Sequence, residues 1–155
     1  MGVLSIGGMS LADDYGSPRQ YYGPWQPSAN STYYYRNYYY KPTPTYTGYK
    51  HHYVMAYPSD QKRLYYYNPY KKTYWGYCPT AYSEGEPAYS HLPAEYQKSS
   101  LSEIPESAFP PLGPQPAIPE SQDGARLDLP PDDLPPGFAS PRSGPIPPAP
   151  APKAP

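Results

Sequence analysis

Few side chains in this sequence are of a type that does chemistry, and their spacing decides what they can do. Cys78 is the only cysteine. It cannot close an intramolecular disulfide, so it reads as a free thiol or as an intermolecular bridge. As a nucleophile it would need a histidine base and an acid to orient that base, and nothing near it specifies either. His51 and His52 are neighbours, and on a strand neighbours point to opposite faces, so they cannot share one metal ion. His91 stands at no zinc-type spacing from them. Asp132 and Asp133 sit between proline pairs, a poor setting for a preorganised carboxylate dyad. The glycines form no phosphate-cradling loop. The sequence therefore reads as a protein that is not an enzyme and uses neither metal nor cofactor.

The remaining chemistry is aromatic. The chain has 22 tyrosines, all between Tyr15 and Tyr96. Tyrosine rings stack, their hydroxyls hydrogen-bond, and they can be cross-linked by oxidation, which suits matrix or adhesion components. The densest group is Tyr65, Tyr66, Tyr67 and Trp75, and these four are the candidate binding residues. Their placement depends on a hairpin. Tyr65 to Tyr67 read as one strand and Thr73 to Tyr77 as the next, since aromatic and β-branched residues suit a pleated, half-buried surface. Asn68-Pro69-Tyr70-Lys71 between them reads as a type I turn.

A third strand precedes the pair. Tyr49, His51, Tyr53, Met55 and Tyr57 share one face of it; Lys50, His52, Val54 and Ala56 share the other. Pro58 to Gln61 then turns the chain, and the next strand opens at Leu64. The expected domain is a three-stranded antiparallel meander over residues 49–78, close to the minimum for independent stability. Its core is expected to hold Tyr53, Leu64, Tyr66, Tyr74 and Trp75. Gly76 within the last strand signals a bulge or a close approach of the acidic tail.

Composition argues that most of the rest is disordered. Of 155 residues, 27 are proline and 12 glycine, and aliphatic core formers are scarce. Residues 13–48 read as a Tyr-rich low-complexity leader, lending at most a short strand near Tyr33 to Tyr40. Residues 79–103 read as a polar connector in which Ser100-x-x-Glu103 starts one helical turn that Pro105 ends. Residues 104–155 read as a Pro-rich acidic tail, disordered or polyproline II. Within the tail Ile104-Pro-Glu-Ser107 recurs as Ile118-Pro-Glu-Ser121.

Charge follows the same division. From Tyr15 to Tyr82 there are eight Lys/Arg against a single Asp; from Ser83 onward there are four Lys/Arg against ten Asp/Glu. Such a chain can attract itself or two opposite partners, and an acidic tail also keeps a sticky Tyr-rich block dispersed. Self-association and intramolecular tail binding both fit. Base stacking with Lys62, Arg63, Lys71 and Lys72 on phosphates is disfavoured by the acidic tail and by export.

Residues 1–12 (MGVLSIGGMSLA) form an apolar stretch ending in a small-x-small pattern, the core and cleavage site of a signal peptide that lacks its basic start. No apolar run reaches transmembrane length. Export to the periplasm or outside the cell is the expected location.

Two resemblances carry further expectations. Leu64-Tyr-Tyr-Tyr-Asn68 with Trp75 and Pro79 resembles the second half of a WW domain, although the Asn-to-Trp spacing is one residue short and the family's first Trp has no counterpart near His51. That likeness implies a groove of Tyr66 or Tyr67 with Trp75 that takes Pro-rich segments, the chain's own tail among them; convergence of Tyr-rich hairpins gives the same local pattern. Tyr65-Tyr-Tyr-Asn-Pro-Tyr-Lys-Lys-Thr-Tyr-Trp-Gly76, Tyr89-Ser90, Ile104-Pro-Glu-Ser-Ala-Phe-Pro110 and Pro130-Pro-Asp-Asp-Leu-Pro135 together are similar to small Tyr/Pro-rich exported proteins of planctomycete bacteria. This implies export and architecture and adds no mechanism. The expected function is a non-enzymatic structural or interaction protein of the envelope or matrix, bound to a protein or envelope polymer; the alternative is a small module that binds Pro-rich peptides.

Overall fold

Strict alternation of side chains runs further along the chain than one meander requires. A computed structural model of the protein describes residues 17–83 and 85–138. It contains a seven-stranded, wholly antiparallel sheet: β1 (Gln20–Tyr22), β2 (Gln26–Pro27), β3 (Tyr34–Tyr40), β4 (Lys50–Tyr57), β5 (Asp60–Asn68), β6 (Thr73–Pro79) and β7 (Ser90–His91). The order is β1-β3-β4-β5-β6-β7, with β2 also on β3. β1 and β2 are one edge strand broken at Gly23-Pro24-Trp25, since both pair the same side of β3. Pro24 has no N–H to give a ladder, which suits an edge.

The expected three-stranded meander is thus only the middle of the sheet. The supposed low-complexity leader supplies β1 to β3, because Tyr34 to Tyr40 has the same period-two pattern as β4, with Arg36, Tyr38 and Tyr40 buried. β5 begins at Asp60 instead of Leu64, because Pro58 and Ser59 alone make the turn and Tyr57 pairs Asp60. The connector is not merely polar: it supplies β7 and buries Ala88, Tyr89 and Leu92. The β5–β6 turn forms where the sequence implies, with the Asn68 carboxamide oxygen accepting from the N–H of Tyr70 at 2.8 Å and of Lys71 at 3.2 Å. It is one residue longer than the expected type I turn: Lys72, at φ +60°, closes it by donating its N–H to the Asn68 carbonyl at 2.7 Å. Ser100 caps a short 3-10 turn, Leu101–Glu103, by accepting from Ser102 N–H.

Gly76 fulfils the bulge expectation. Tyr66 pairs Gly76 while Tyr67 pairs Tyr74, so Trp75 is the extra residue. The close approach comes from the connector instead of the acidic tail. A Cβ at Gly76 would lie 2.4 Å from the Ser90 carbonyl and 2.6 Å from the Tyr89 ring.

The largest departure is the tail, which through Phe138 covers the sheet. Proline already restricts the chain, so less entropy is lost on ordering and a few apolar anchors suffice. One core joins Tyr38, Tyr40, Val54, Leu64, Tyr66, Trp75, Cys78 and Tyr89 of the sheet side to Ile118 and Leu127. The other, on the opposite face of β5 and β6, joins Tyr65 and Tyr74 to Leu92, Ile104 and Ala108. The repeated Ile-Pro-Glu-Ser motif does the same work in each. Ile104 enters one core while Glu106 pairs Arg63; Ile118 enters the other while Glu120 pairs Lys50.

The charge asymmetry resolves likewise. Arg19–Asp123, Arg36–Asp133, Lys50–Glu120 and Arg63–Glu106 all join a sheet cation to a later acid. The chain attracts itself. The region read as a signal peptide, residues 1–12, and the tail beyond Phe138 lie outside the described residues.

Candidate functional site

Because strand side chains alternate, the Tyr65-Tyr66-Tyr67 triplet is split between faces. Tyr66 and Trp75 lie together, ring centroids 5.2 Å apart. They are not an open groove. Tyr66 is fully buried and Trp75 nearly so, with Tyr89 at 5.3 Å from the one and stacked at 5.6 Å on the other. Ile118 and Leu127 share this core. Tyr66 is further tied by its hydroxyl to the Tyr22 hydroxyl at 2.7 Å, and burial drives its pKa far above that of a free phenol. Cys78 is buried in the same core, and its thiol forms no disulfide. An intermolecular bridge at this position would require that core to open.

Tyr65 and Tyr67 face the other way. Tyr65 is covered: its hydroxyl donates to Asp60 at 2.7 Å, Phe109 packs against its ring, and burial first, then that hydrogen bond, pushes its pKa up to about 12. Tyr67 is half-buried at the edge of the cover, T-shaped against Tyr74 at 4.9 Å. Tyr53, expected in the core, is also only half-buried. Of the four predicted binding residues, only Tyr67 therefore reaches the surface described next.

The cover formed by residues 92–109 lies over β5 and β6, and β1, β3 and β4 stay open on that face. The pairing Tyr21↔Tyr39, Tyr39↔His51, Asn37↔Tyr53, Tyr53↔Tyr67 and Tyr35↔Met55 places these side chains in cross-strand rows. The rings touch in series: Tyr21 stacks on Tyr39 at 4.7 Å, Tyr49 meets Tyr21 edge-on at 4.9 Å, and His51 meets Tyr53 at 5.2 Å. Tyr35 meets Tyr53 at 5.6 Å, and Tyr33 meets Tyr57 at 5.2 Å. Such offset and edge contacts add to the area each ring buries. Tyr33, Tyr35, Tyr53, Tyr57, Tyr67 and Tyr74, with Met55 and Ser99, line a cleft of about 450 Å³.

The cleft is polar at its hydroxyls and apolar at its rings. The Tyr57 and Tyr74 hydroxyls share a 2.5 Å hydrogen bond, and burial raises both pKa values, so both are neutral phenols at physiological pH. No Lys, Arg, Asp or Glu is among the residues that line the cleft, and Lys41 Nζ lies over the Tyr49 ring at 5.1 Å, at the far end of the face. This face was legible in the alternation of residues 33 to 39 and 49 to 57. The hairpin's tyrosines are consecutive and so denser in sequence, but consecutive strand residues face opposite sides of the sheet.

Among the described residues, no group of three or more His, Cys, Asp or Glu could hold a metal ion, and no helix is long and apolar enough to cross a membrane. Comparison with protein-family models, curated proteins and solved structures returned no match.

Proposed function

We propose that this protein is a non-enzymatic, exported structural or interaction protein of the cell envelope or matrix, and that its contact surface is the open tyrosine face. The observation that carries the reading is the asymmetry of the sheet. One face is closed by the chain's later segment, whereas on the other the cover stops over β5 and β6 and leaves contiguous rings and a tyrosine-lined cleft open beside it. A tyrosine-lined cleft with hydroxyls and no charged side chain in its lining favours an extended, uncharged polymer over nucleic acid, whose affinity comes from cations on phosphates. Rigid rings also lose little side-chain freedom on contact.

Co-sedimentation of the full chain with an insoluble envelope fraction tests this. The wild-type chain is expected in the pellet, and a Tyr35→Ala/Tyr53→Ala variant in the supernatant with its melting curve nearly unchanged. Wild-type protein that stays wholly free and monomeric would sink the proposal.

The second reading is recognition of Pro-rich segments by Tyr66 and Trp75. It is favoured by the packing of Ile118 and Leu127, from the chain's own Pro-rich segment, in that core. In this form the recognition operates in cis. A Pro-rich peptide added in trans is then expected not to displace the resident segment, as read by an unchanged Trp75 indole resonance.

A further inference from the structure

At the seam between the β5–β6 hairpin and the tail lies a second cleft, of about 190 Å³. His52, Trp75, His91, Lys71, Gln97 and Glu120 contribute its polar wall. Among the described residues, four buried side-chain polar atoms lack a hydrogen-bond partner: His52 Nδ1, Trp75 Nε1, Tyr89 Oη and Ser121 Oγ. Two of them belong to this cleft. His52 and Trp75 line the cleft, at 2% and 6% exposure. Folded proteins pair nearly all such atoms, so two exceptions on one cleft wall mark a place where a partner is accommodated.

The backbone gives an independent sign. Glu120 has φ +66°, a left-handed conformation that non-glycine residues seldom adopt and that concentrates at ligand clamps. It is held there by Lys50 Nζ at 2.8 Å.

The chemistry of the wall defines the occupant. An indole N–H can only donate. His52 Nε2 faces the Tyr40 hydroxyl at 3.1 Å; with that hydroxyl donating, Nδ1 carries the ring hydrogen and donates as well. Lys71, at the mouth, has no ion-pair partner among the described residues, whereas the one acid in the wall, Glu120, is neutralised by Lys50. Two neutral donors and one uncompensated cation suit a singly charged acceptor. A phosphate dianion would ask for more than one.

We propose that this cleft binds a small carboxylate, whose oxygens accept from Trp75 Nε1 and His52 Nδ1 and whose charge is met by Lys71. The two ring nitrogens are closed to bulk water, so entry requires an outward shift of the Pro119–Glu120 lip. The site is independent of the open tyrosine face, which lies on the other side of the sheet.

The chain's two tryptophans provide the test. In ¹⁵N-labelled full-length protein they give two indole resonances, and Trp25 serves as internal reference because its Nε1 already donates to the Asp133 carbonyl at 3.0 Å. Acetate and propionate are titrated at neutral pH and constant ionic strength, with propionamide as the uncharged isostere. Both acids are expected to shift the Trp75 resonance saturably and leave Trp25 in place. Lys71→Ala, an exposed position, is expected to weaken binding about tenfold, the loss of one such contact. A Trp75 resonance indifferent to both acids overturns the proposal. So does propionamide matching propionate with Lys71→Ala binding as well as wild type.

Discussion

Replacing Ile118 by alanine tests whether the Pro-rich segment is part of the fold or merely lies beside it. Ile118 is 1% exposed, in contact with the core that holds Tyr66, Trp75 and Tyr89. The truncation removes three carbons from a site that water does not reach, worth about 2.4 kcal/mol of transfer free energy. The space left behind cannot collapse fully against rigid rings, and the cavity raises the cost to about 3–4 kcal/mol. Glu120→Gln is the control on the same segment. Its carboxylate is half-exposed, at 49%, so breaking its pair with Lys50 costs only about 0.5 kcal/mol. Urea unfolding followed by near-ultraviolet circular dichroism reads the rings directly. With a slope of about 1.5 kcal/mol/M for a domain of this size, Ile118→Ala should lower the midpoint by about 2 M and Glu120→Gln by a few tenths. Ile104→Ala, at 6% exposure in the other core, should behave like Ile118→Ala. If Ile118→Ala unfolds with the wild type while Leu64→Ala loses several kcal/mol, the tail is not a structural layer and the reasoning fails.

Two other perturbations probe the seam. Gly76→Ala sets a methyl 2.4 Å from the Ser90 carbonyl, a backbone atom that cannot swing aside, so β7 and Tyr89 must shift at a cost of about 3 kcal/mol; an unaltered melt with unaltered aromatic dichroism would contradict the close approach. His52 is held neutral because burial, then the nearby charges of His51, Lys50 and Lys71, lowers its pKa from the ordinary 6.5 to about 3. The unfolded chain therefore binds a proton below pH 6.5 that the folded chain refuses until about pH 3, so stability is full above 6.5 and falls as pH drops through that window, by about 1.4 kcal/mol per unit. Burial lowers the pKa of His91 too, which acts in the same direction. Urea midpoints at pH 7 and pH 5 check this, and a slope that persists unchanged in His52→Gln would assign it elsewhere.

Much of the sheet can be read from period-two alternation, and the places where reading stopped are physically specific. β4 announces itself because its polar and aromatic residues alternate cleanly from Lys50 to Tyr57. β3 has the same period, but Arg36 stands where the pattern asks for an apolar residue. Its burial depends on partners distant in sequence: the Gly23 carbonyl at 2.8 Å, the Asp133 carboxylate at 3.2 Å and the Trp25 ring at 4.7 Å. No local rule predicts that a cation will be enclosed by a residue nearly a hundred positions later. The tyrosine triplet shows the opposite difficulty. Its three members look like one site because they are adjacent, yet adjacency on a strand separates them. The open face is assembled from Tyr21, Tyr35, Tyr39 and Tyr53, which no single window of sequence contains.

The tail illustrates why composition alone misjudged order. Low aliphatic content implies disorder when each residue must be fixed against its full chain entropy. Here proline has removed much of that entropy beforehand, and the anchors are spaced so that each reaches a prepared recess. The Ile-Pro-Glu-Ser repeat states the rule twice: an apolar plug, a stiff residue, then an acid two positions beyond the plug. Exposed pairs of this kind contribute little stability, at most about 1 kcal/mol each. Their acids are 41–73% exposed, so the four bridges do not hold the tail down. What they supply is register. A Pro-rich segment with few anchors could slide along an aromatic sheet at small cost, and a bridge that fits only one Lys or Arg removes the alternatives. Ile104 and Ile118 are the same residue in the same motif and could exchange faces; Arg63 and Lys50, on opposite faces, admit Glu106 and Glu120 respectively and so select the order in which the chain crosses the sheet.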